Sequence, residues 1–452
     1  MTDEVEEVKN DPIGVAINSF THAIRDAEEV VKFYVPIAIK LHNKRIDKLE
    51  RQINEARKLS EKEDLQSQVL GNKRYLDVHR DLDRIENSNV PETIEKALFL
   101  NLFSSFDAYI GNLISCLFNC NPNLYKGLGK EISVSDILSF ENFDELKEKV
   151  LLDEIETIRR KSYIEQFSEL EKLFGIPLTK FKNWPLFVEL SQRRNLLMHC
   201  NGIVSEQYIK ICKKEGYKFT EELELGTELP LGTEYMECAF DLMVEVAVKL
   251  GQTLWRKAQP NDLEKSDNHL SELIYDYLHE EEYEKAICLG EFSMSLPKIS
   301  SDLMSKINII NLVIAYKMKG DNEKSSKILD SLDWSASIND FKLANAVLTN
   351  NFDEAKSLML KIKGDGEMIS ESSYHNFPLF FEFRESEQFL SGYEEVFGYS
   401  FSSEMIRKSE ELDQDDTTDN ENESQSKFDN EGVLLEGESN TVNVEQEEQE
   451  SA

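Results

Sequence analysis

The chain has 452 residues, 40% of them hydrophobic and 10% aromatic, and a formal net charge of −36. That length exceeds what one core fills and suits two or three domains, and the composition is that of a globular rather than a disordered protein. The N-terminus MTDEVEEVKNDP is acidic with no apolar leader, and no window approaches eighteen uninterrupted apolar residues. Neither a secretory signal nor a membrane span is expected, and the expected location is the cytoplasm.

The charge is uneven. Ser409 to Ala452 carries sixteen Asp/Glu and one Lys, a net of −15, which leaves −21 on the first 408 residues. Any contact with phosphate must therefore be local. The cysteines (Cys116, Cys120, Cys200, Cys212, Cys238 and Cys288) form no CxxC pair, so reduced thiols are expected rather than a zinc or disulfide framework. The chain shows no P-loop, HExxH, nucleophile elbow or dinucleotide fingerprint, and no cofactor or metal is expected.

In chain order the periodicity is helical, so the expected fold class is all-α. Ile13 to His42 and Asn43 to Leu70 read as two long amphipathic helices, the second densely charged like a hairpin arm. Pro91 opens the next helix, whose span Lys96 to Phe118 is almost wholly apolar and belongs at a domain centre. Asp107 interrupts that helix among Phe103, Ile110 and Ile114. A carboxylate there must be paired or functional.

After a break at Asn121-Pro122-Asn123 come shorter charged helices over Ser133 to Lys149. A helix over Leu151 to Phe174 follows, bearing Arg159, Arg160 and Lys161. Lys180 and Lys182 precede a helix from Leu186 to about Cys200, with Asn201-Gly202 as its C-cap. A polar insertion, Lys213 to Gly232, leads to a last helix over Glu234 to Lys257.

Gln259 to Asp262 reads as a linker. Beyond it EEYEKAICLG around Ala286, GDNEKSSKIL around Ser325 and NNFDEAKSLM around Ala355 echo one another, an acidic or amide turn before a helix with a small residue at its packing point. This is a degenerate, tetratricopeptide-like pattern, with a generic bundle as the alternative. Asn376 to Tyr399 reads as a closing helix pair, and the acidic tail should be disordered. The expected organisation is N-terminal long helices over 1–90, a helical-bundle domain over 91–258, a short α-solenoid over 259–400 and the tail over 401–452.

The densest chemistry lies in LSQRRNLLMHCNGIVSEQ, Leu190 to Gln207. Arg194 and His199 can stabilise a crowded phosphate and move a proton, which suffices to cleave RNA without metal. Spacing alone is a weak signal, because Arg74 and His79 repeat it in KRYLDVHRD. Around His79 the neighbours are those of a solvated charged helix. Around His199, Leu186, Phe187, Leu190 and Leu197 supply packing, while Gln192, Asn195 and His199 form one polar stripe. A last-turn histidine also meets the negative end of the helix dipole, so plain capping is the competing role.

QRRNLLMHCNGIVSEQYI, with the earlier FSSFDAYIGNLI, resembles the signature of the HEPN superfamily over roughly Pro91 to Lys257. The resemblance implies a compact helical bundle and, in many members, a metal-independent endoribonuclease acting as a homodimer in toxin or anti-phage defence systems. It would make Arg194 the stabiliser of charge on phosphorus and His199 the general acid/base. Asn195 would be the orienting polar residue and Asp107 the acidic position of the early helix. Arg193, Arg159, Arg160 and Lys161 are the candidate RNA-binding cations, with Lys180 and Lys182 further contributors if they converge. A protein partner on the C-terminal helices is also expected. The alternatives are a non-catalytic helical interaction protein, and a toxin silenced by a partner nucleotidyltransferase.

Overall fold

The computed structural model describes residues 11–220, 223–364 and 366–401, and among them every named element is helical. α1 (Pro12–Glu29) is capped by Asp11, whose carboxylate accepts from the Ile13 amide. It runs through a π-helical turn, Val30–Tyr34, into α2 (Val35–Ser60). Pro36 explains the turn: it has no N–H to donate, its ring crowds the carbonyl one turn back, and the helix widens locally.

α3 (Leu65–Glu86) packs back along α2 as the expected charged hairpin. The reversal is at residues 61–64, not at His42-Asn43 as the sequence suggested. Asp64 accepts from the Ser67 amide and starts α3 there. Gly71 sits directly over the backbone of Ser60, where a Cβ would fall 2.3 Å from its nitrogen. Only glycine allows the arms to close that tightly.

α4 (Val90–Cys120) is the central helix. Within it Phe99, Phe103, Phe106, Leu113, Ile114, Leu117 and Phe118 are wholly buried. The stretch Leu65–Cys120 contains a segment long and apolar enough, by length and composition, to cross a membrane, but in this fold α4 is wrapped by other helices. A 3-10 turn, Pro122–Gly127, leads to α5 (Val134–Ile137), α6 (Phe143–Arg159) and α7 (Tyr163–Phe174). Leu151 to Phe174 is thus two helices rather than one. Ser162 and Glu165 form a reciprocal capping box that ends one and starts the next.

α8 (Trp184–Cys200) and α9 (Glu206–Lys214) follow. The polar insertion after α9 is packed. Tyr217, Phe219, Leu223 and Leu229 cover a small second core of Leu196, Val204, Tyr208 and Cys212, and an isolated bridge pairs Ile203 with Glu228. α10 (Thr233–Ala258) crosses α1 and α4. The Tyr109 hydroxyl donates to the Ala247 carbonyl at 2.7 Å, and Gly251 leaves room for Tyr109 and Ile17.

The remaining helices pair: α11 (Glu264–His279) with α12 (Tyr283–Ser295), α13 (Asp302–Met318) with α14 (Asn322–Leu329), and α15 (Asn339–Leu348) with α16 (Phe352–Ile362). Each pair turns through one left-handed residue, Glu281, Gly320 and Asn350, with φ of 62°, 85° and 58°. The next amide then bonds five residues back, to the carbonyls of Tyr277, Tyr316 and Ala346. Five residues after each left-handed residue lie Ala286, Ser325 and Ala355, all buried. α17 (Glu371–Asn376), α18 (Phe381–Arg384) and α19 (Glu387–Phe397) close the array. Although Gln259 to Asp262 is a turn as expected, one apolar core runs through bundle and array from Ile13 to Tyr393. The expected disordered tail lies outside the described residues apart from Phe401.

Candidate functional site

α8 begins with Pro185 in its first turn and ends in left-handed Asn201 (φ 50°) and Gly202 (φ 80°), whose amide reaches back to the Leu196 carbonyl at 3.0 Å. Phe187, Val188, Leu190 and Leu197 anchor it in the core, so its rotation is fixed. That rotation separates two adjacent arginines.

Arg193 points inward and is 9% exposed. Its Nε lies 3.2 Å from Glu189 Oε1, its Nη1 donates to the Pro230 carbonyl at 3.3 Å, and its guanidinium sits 4.6 Å from the centre of the Tyr235 ring. Glu189 is wholly buried and also accepts from the hydroxyls of Tyr208 (2.6 Å) and Tyr235 (2.9 Å). Burial first, and then the Glu189 carboxylate, pushes both hydroxyls far above their ordinary range, so both stay protonated donors. Arg193 is therefore an internal counter-ion, and the expectation that it binds substrate is corrected. Gln192 is buried too and leaves the expected surface stripe.

Arg194 and Asn195 are half-buried and touch, Arg194 Nη1 donating to Asn195 Oδ1 at 3.2 Å. His199 is exposed in the last turn. In an ideal helix a five-residue step turns about 140° and rises about 7.5 Å, so the two motif side chains leave α8 in different directions. Asn195 lies one turn before His199, on its face, and its bond to Arg194 draws the guanidinium towards that face.

Asp107 is half-buried on α4 and accepts from the Tyr163 hydroxyl at 2.7 Å, so the isolated acid anticipated in the apolar helix is paired. Tyr163 packs among Phe103, Phe106 and Phe187, with ring centroids 5.6, 5.7 and 5.9 Å away, which ties α4, α7 and α8 together. Burial and then the Asp107 carboxylate hold the Tyr163 hydroxyl far above the usual phenol range. The guanidinium groups of Arg194 and Arg159 act in the opposite direction. Arg159 runs across α4 one turn from Asp107, its Cδ 3.6 Å from the point a Cβ on Gly111 would occupy. Asp107, Tyr163, Arg159 and Arg194 thus share one electrostatic neighbourhood.

The other candidate cations do not join it. Arg160 is paired with Glu156 at 2.9 Å on an exposed face, and Lys161 with Glu169 at 3.3 Å. Lys180 and Lys182 are exposed before the start of α8, about ten residues and about 15 Å from Arg194 along the helix axis. Lys180 lines a separate cavity with Phe181, Lys249 and Glu291.

Tyr163 is the residue that sequence reasoning missed. Its one signal was indirect: a carboxylate in an apolar helix needs a donor, and a tyrosine at the first position after a capping box can supply it. Among the described residues no cluster of three or more His, Cys, Asp or Glu side chains is placed to hold a metal ion. No protein-family model, no curated protein and no solved structure matches this chain.

Proposed function

We propose that the protein is a metal-independent endoribonuclease of HEPN type, acting as a homodimer in a toxin or defence role. The observation that carries this reading is the Arg194–Asn195 pair at the surface of α8, with exposed His199 one turn on and the Asp107–Tyr163 pair and Arg159 beside it. Arg194, with Arg159 nearby, would offset charge gathering on the non-bridging phosphate oxygens as the ribose 2′-oxygen attacks phosphorus. His199 would take the 2′ proton or deliver one to the leaving 5′-oxygen, giving a 2′,3′-cyclic phosphate and a 5′-hydroxyl.

A single exposed imidazole serves one proton transfer at a time, and a second copy would supply the other. Phe33, Ile37 and Leu41, exposed at four-residue spacing, give the hairpin an apolar stripe on which copies could meet. The non-catalytic reading draws on the local neutralisation of Arg160 and Lys161, which leaves fewer cations for RNA. Incubation with structured RNA in EDTA separates the two. The expected outcome is cyclic-phosphate ends from the wild type and none from Arg194→Ala or His199→Ala. Equal cutting by all three would refute the enzyme reading, and a strict monomer by light scattering would refute the paired site.

A further inference from the structure

A second built feature lies in the helix array, away from the Arg194 surface. α11, α13 and the stretch from Met368 to Phe377 enclose a cavity of about 590 Å³, within the size range of ligand-binding sites. Its apolar wall is Tyr275, Ile307, Met368 and Phe377, and Glu272 and Asp276 give it acidic charge. Two polar side chains lining it are almost entirely buried: Asn311, 2% exposed, and Ser271, 8% exposed. Neither side chain has a hydrogen-bond partner among the described residues. Buried amides and hydroxyls are ordinarily bonded, because an unmet one forfeits the hydration it gave up. Asn311 offers both a donor and an acceptor, the pair needed to bind one peptide unit of an extended chain.

The described chain ends beside this groove. The Phe401 ring stacks on His375 with centroids 4.8 Å apart, and packs edge-on against Phe389 and Tyr393. Asn376 and Phe377, the next residues after His375, are part of the groove wall. The residues following Phe401 are Ser402-Ser403-Glu404-Met405-Ile406-Arg407-Lys408. Met405 and Ile406 match the apolar wall in character, and Arg407 and Lys408 oppose its acidic charge. A span of three to seven residues reaches roughly 10 to 25 Å, enough to enter a groove that starts one residue from the Phe401 stack. We propose that Ser402 to Lys408 occupies this groove, with Asn311 bonding its backbone, Met405 and Ile406 seated against Phe377 and Ile307, and Arg407 and Lys408 at the acidic side. The array then carries its own ligand, and an outside peptide reaches the groove only by displacing it.

Hydrogen exchange on the full chain tests this. Amides of Glu404 to Lys408 should exchange at least tenfold more slowly, relative to their intrinsic rates, than those of Asn420 to Asp429. The difference should fall below twofold in Asn311→Ala and in the double variant Arg407→Glu/Lys408→Glu, which alters nothing inside the described fold. A photoreactive amino acid at position 406 should crosslink within one chain to peptides bearing Ser271–Asp276 or Ser372–Phe377. Exchange at the rate of Asn420 to Asp429, protection that survives both variants, or crosslinks joining two chains would each overturn the proposal.

Discussion

Two helices of this molecule carry an arginine five positions before a histidine, and their surroundings differ in every respect that matters chemically. On α3, Arg74 and His79 are exposed; His79 stacks on Tyr75, with centroids 5.6 Å apart, and lies 3.9 Å from Asp83 one turn on. Those are helix-surface contacts worth a few tenths of a kcal/mol each, and no other element of the bundle limits how the side chains move. On α8 the helix is locked by Phe187 and Leu190, Arg194 is held by Asn195, and Asp107 and Tyr163 stand beside it from two other helices. The spacing is identical and the preorganisation is not. Placement by several elements, rather than the interval between two residue types, is what makes a constellation able to do chemistry.

The sharpest way to break this contrast is to remove each pair in turn. Arg194→Ala and His199→Ala should each lower RNA cleavage by about 10² to 10⁴-fold, the usual cost of losing a charge stabiliser or a proton-transfer group. Arg74→Ala and His79→Ala should leave the rate within about twofold. Equal losses from both pairs, measured as single-turnover rates on one RNA, would dissolve the distinction between the helices.

A second contrast lies within α8. Truncating Arg193 leaves the wholly buried Glu189 without its cation, so Arg193→Ala should destabilise the fold by about 3–5 kcal/mol. Arg194→Ala should shift stability by under about 1 kcal/mol. Urea midpoints of the two variants give the comparison directly, and a reversed order would show that the two arginines have exchanged roles.

Much of the fold was legible because its signals are local. The all-helical class follows from periodicity. The three turns at Glu281, Gly320 and Asn350 share one backbone geometry that EEY, GDN and NNF announce through turn-forming residues before a small helical residue. The hairpin reversal at residues 61–64 was misplaced because amphipathic pattern runs unbroken across it, and only the Asp64 cap marks the spot. At the site, the sequence singled out Arg194, Asn195, His199 and Asp107 as polar groups on otherwise packed helices. It could not divide Arg193 from Arg194, since which of two neighbours faces inward depends on the rotation imposed by distant Tyr208 and Tyr235. Tyr163 stayed invisible for a similar reason: its bond to Asp107 spans 56 positions of chain.

A third histidine sharpens what burial alone does to the same side chain. His269 of α11 sits against α1 and α10. Its Nε2 lies 3.2 Å from the Gly14 carbonyl and 3.0 Å from Asn18 Oδ1, and its Nδ1 lies 3.0 Å from Gln252 Nε2. The Gln252 amide can only donate, so Nδ1 accepts and the ring is neutral with its proton on Nε2. Burial lowers its pKa from 6.5 to about 4, with the Gly14 carbonyl as a smaller opposing influence. Between those values the unfolded chain takes up a proton that the folded chain refuses, so this contribution to stability is whole above pH 6.5 and declines as pH falls towards 4. At pH 5 the loss is about 2 kcal/mol. His269→Gln removes the titrating group, so urea unfolding should show a pH 7 to pH 5 drop about 2 kcal/mol smaller than that of the wild type. Parallel drops in the two proteins would mean that His269 keeps its ordinary proton affinity inside the fold, and that the seam between α1, α10 and α11 admits water.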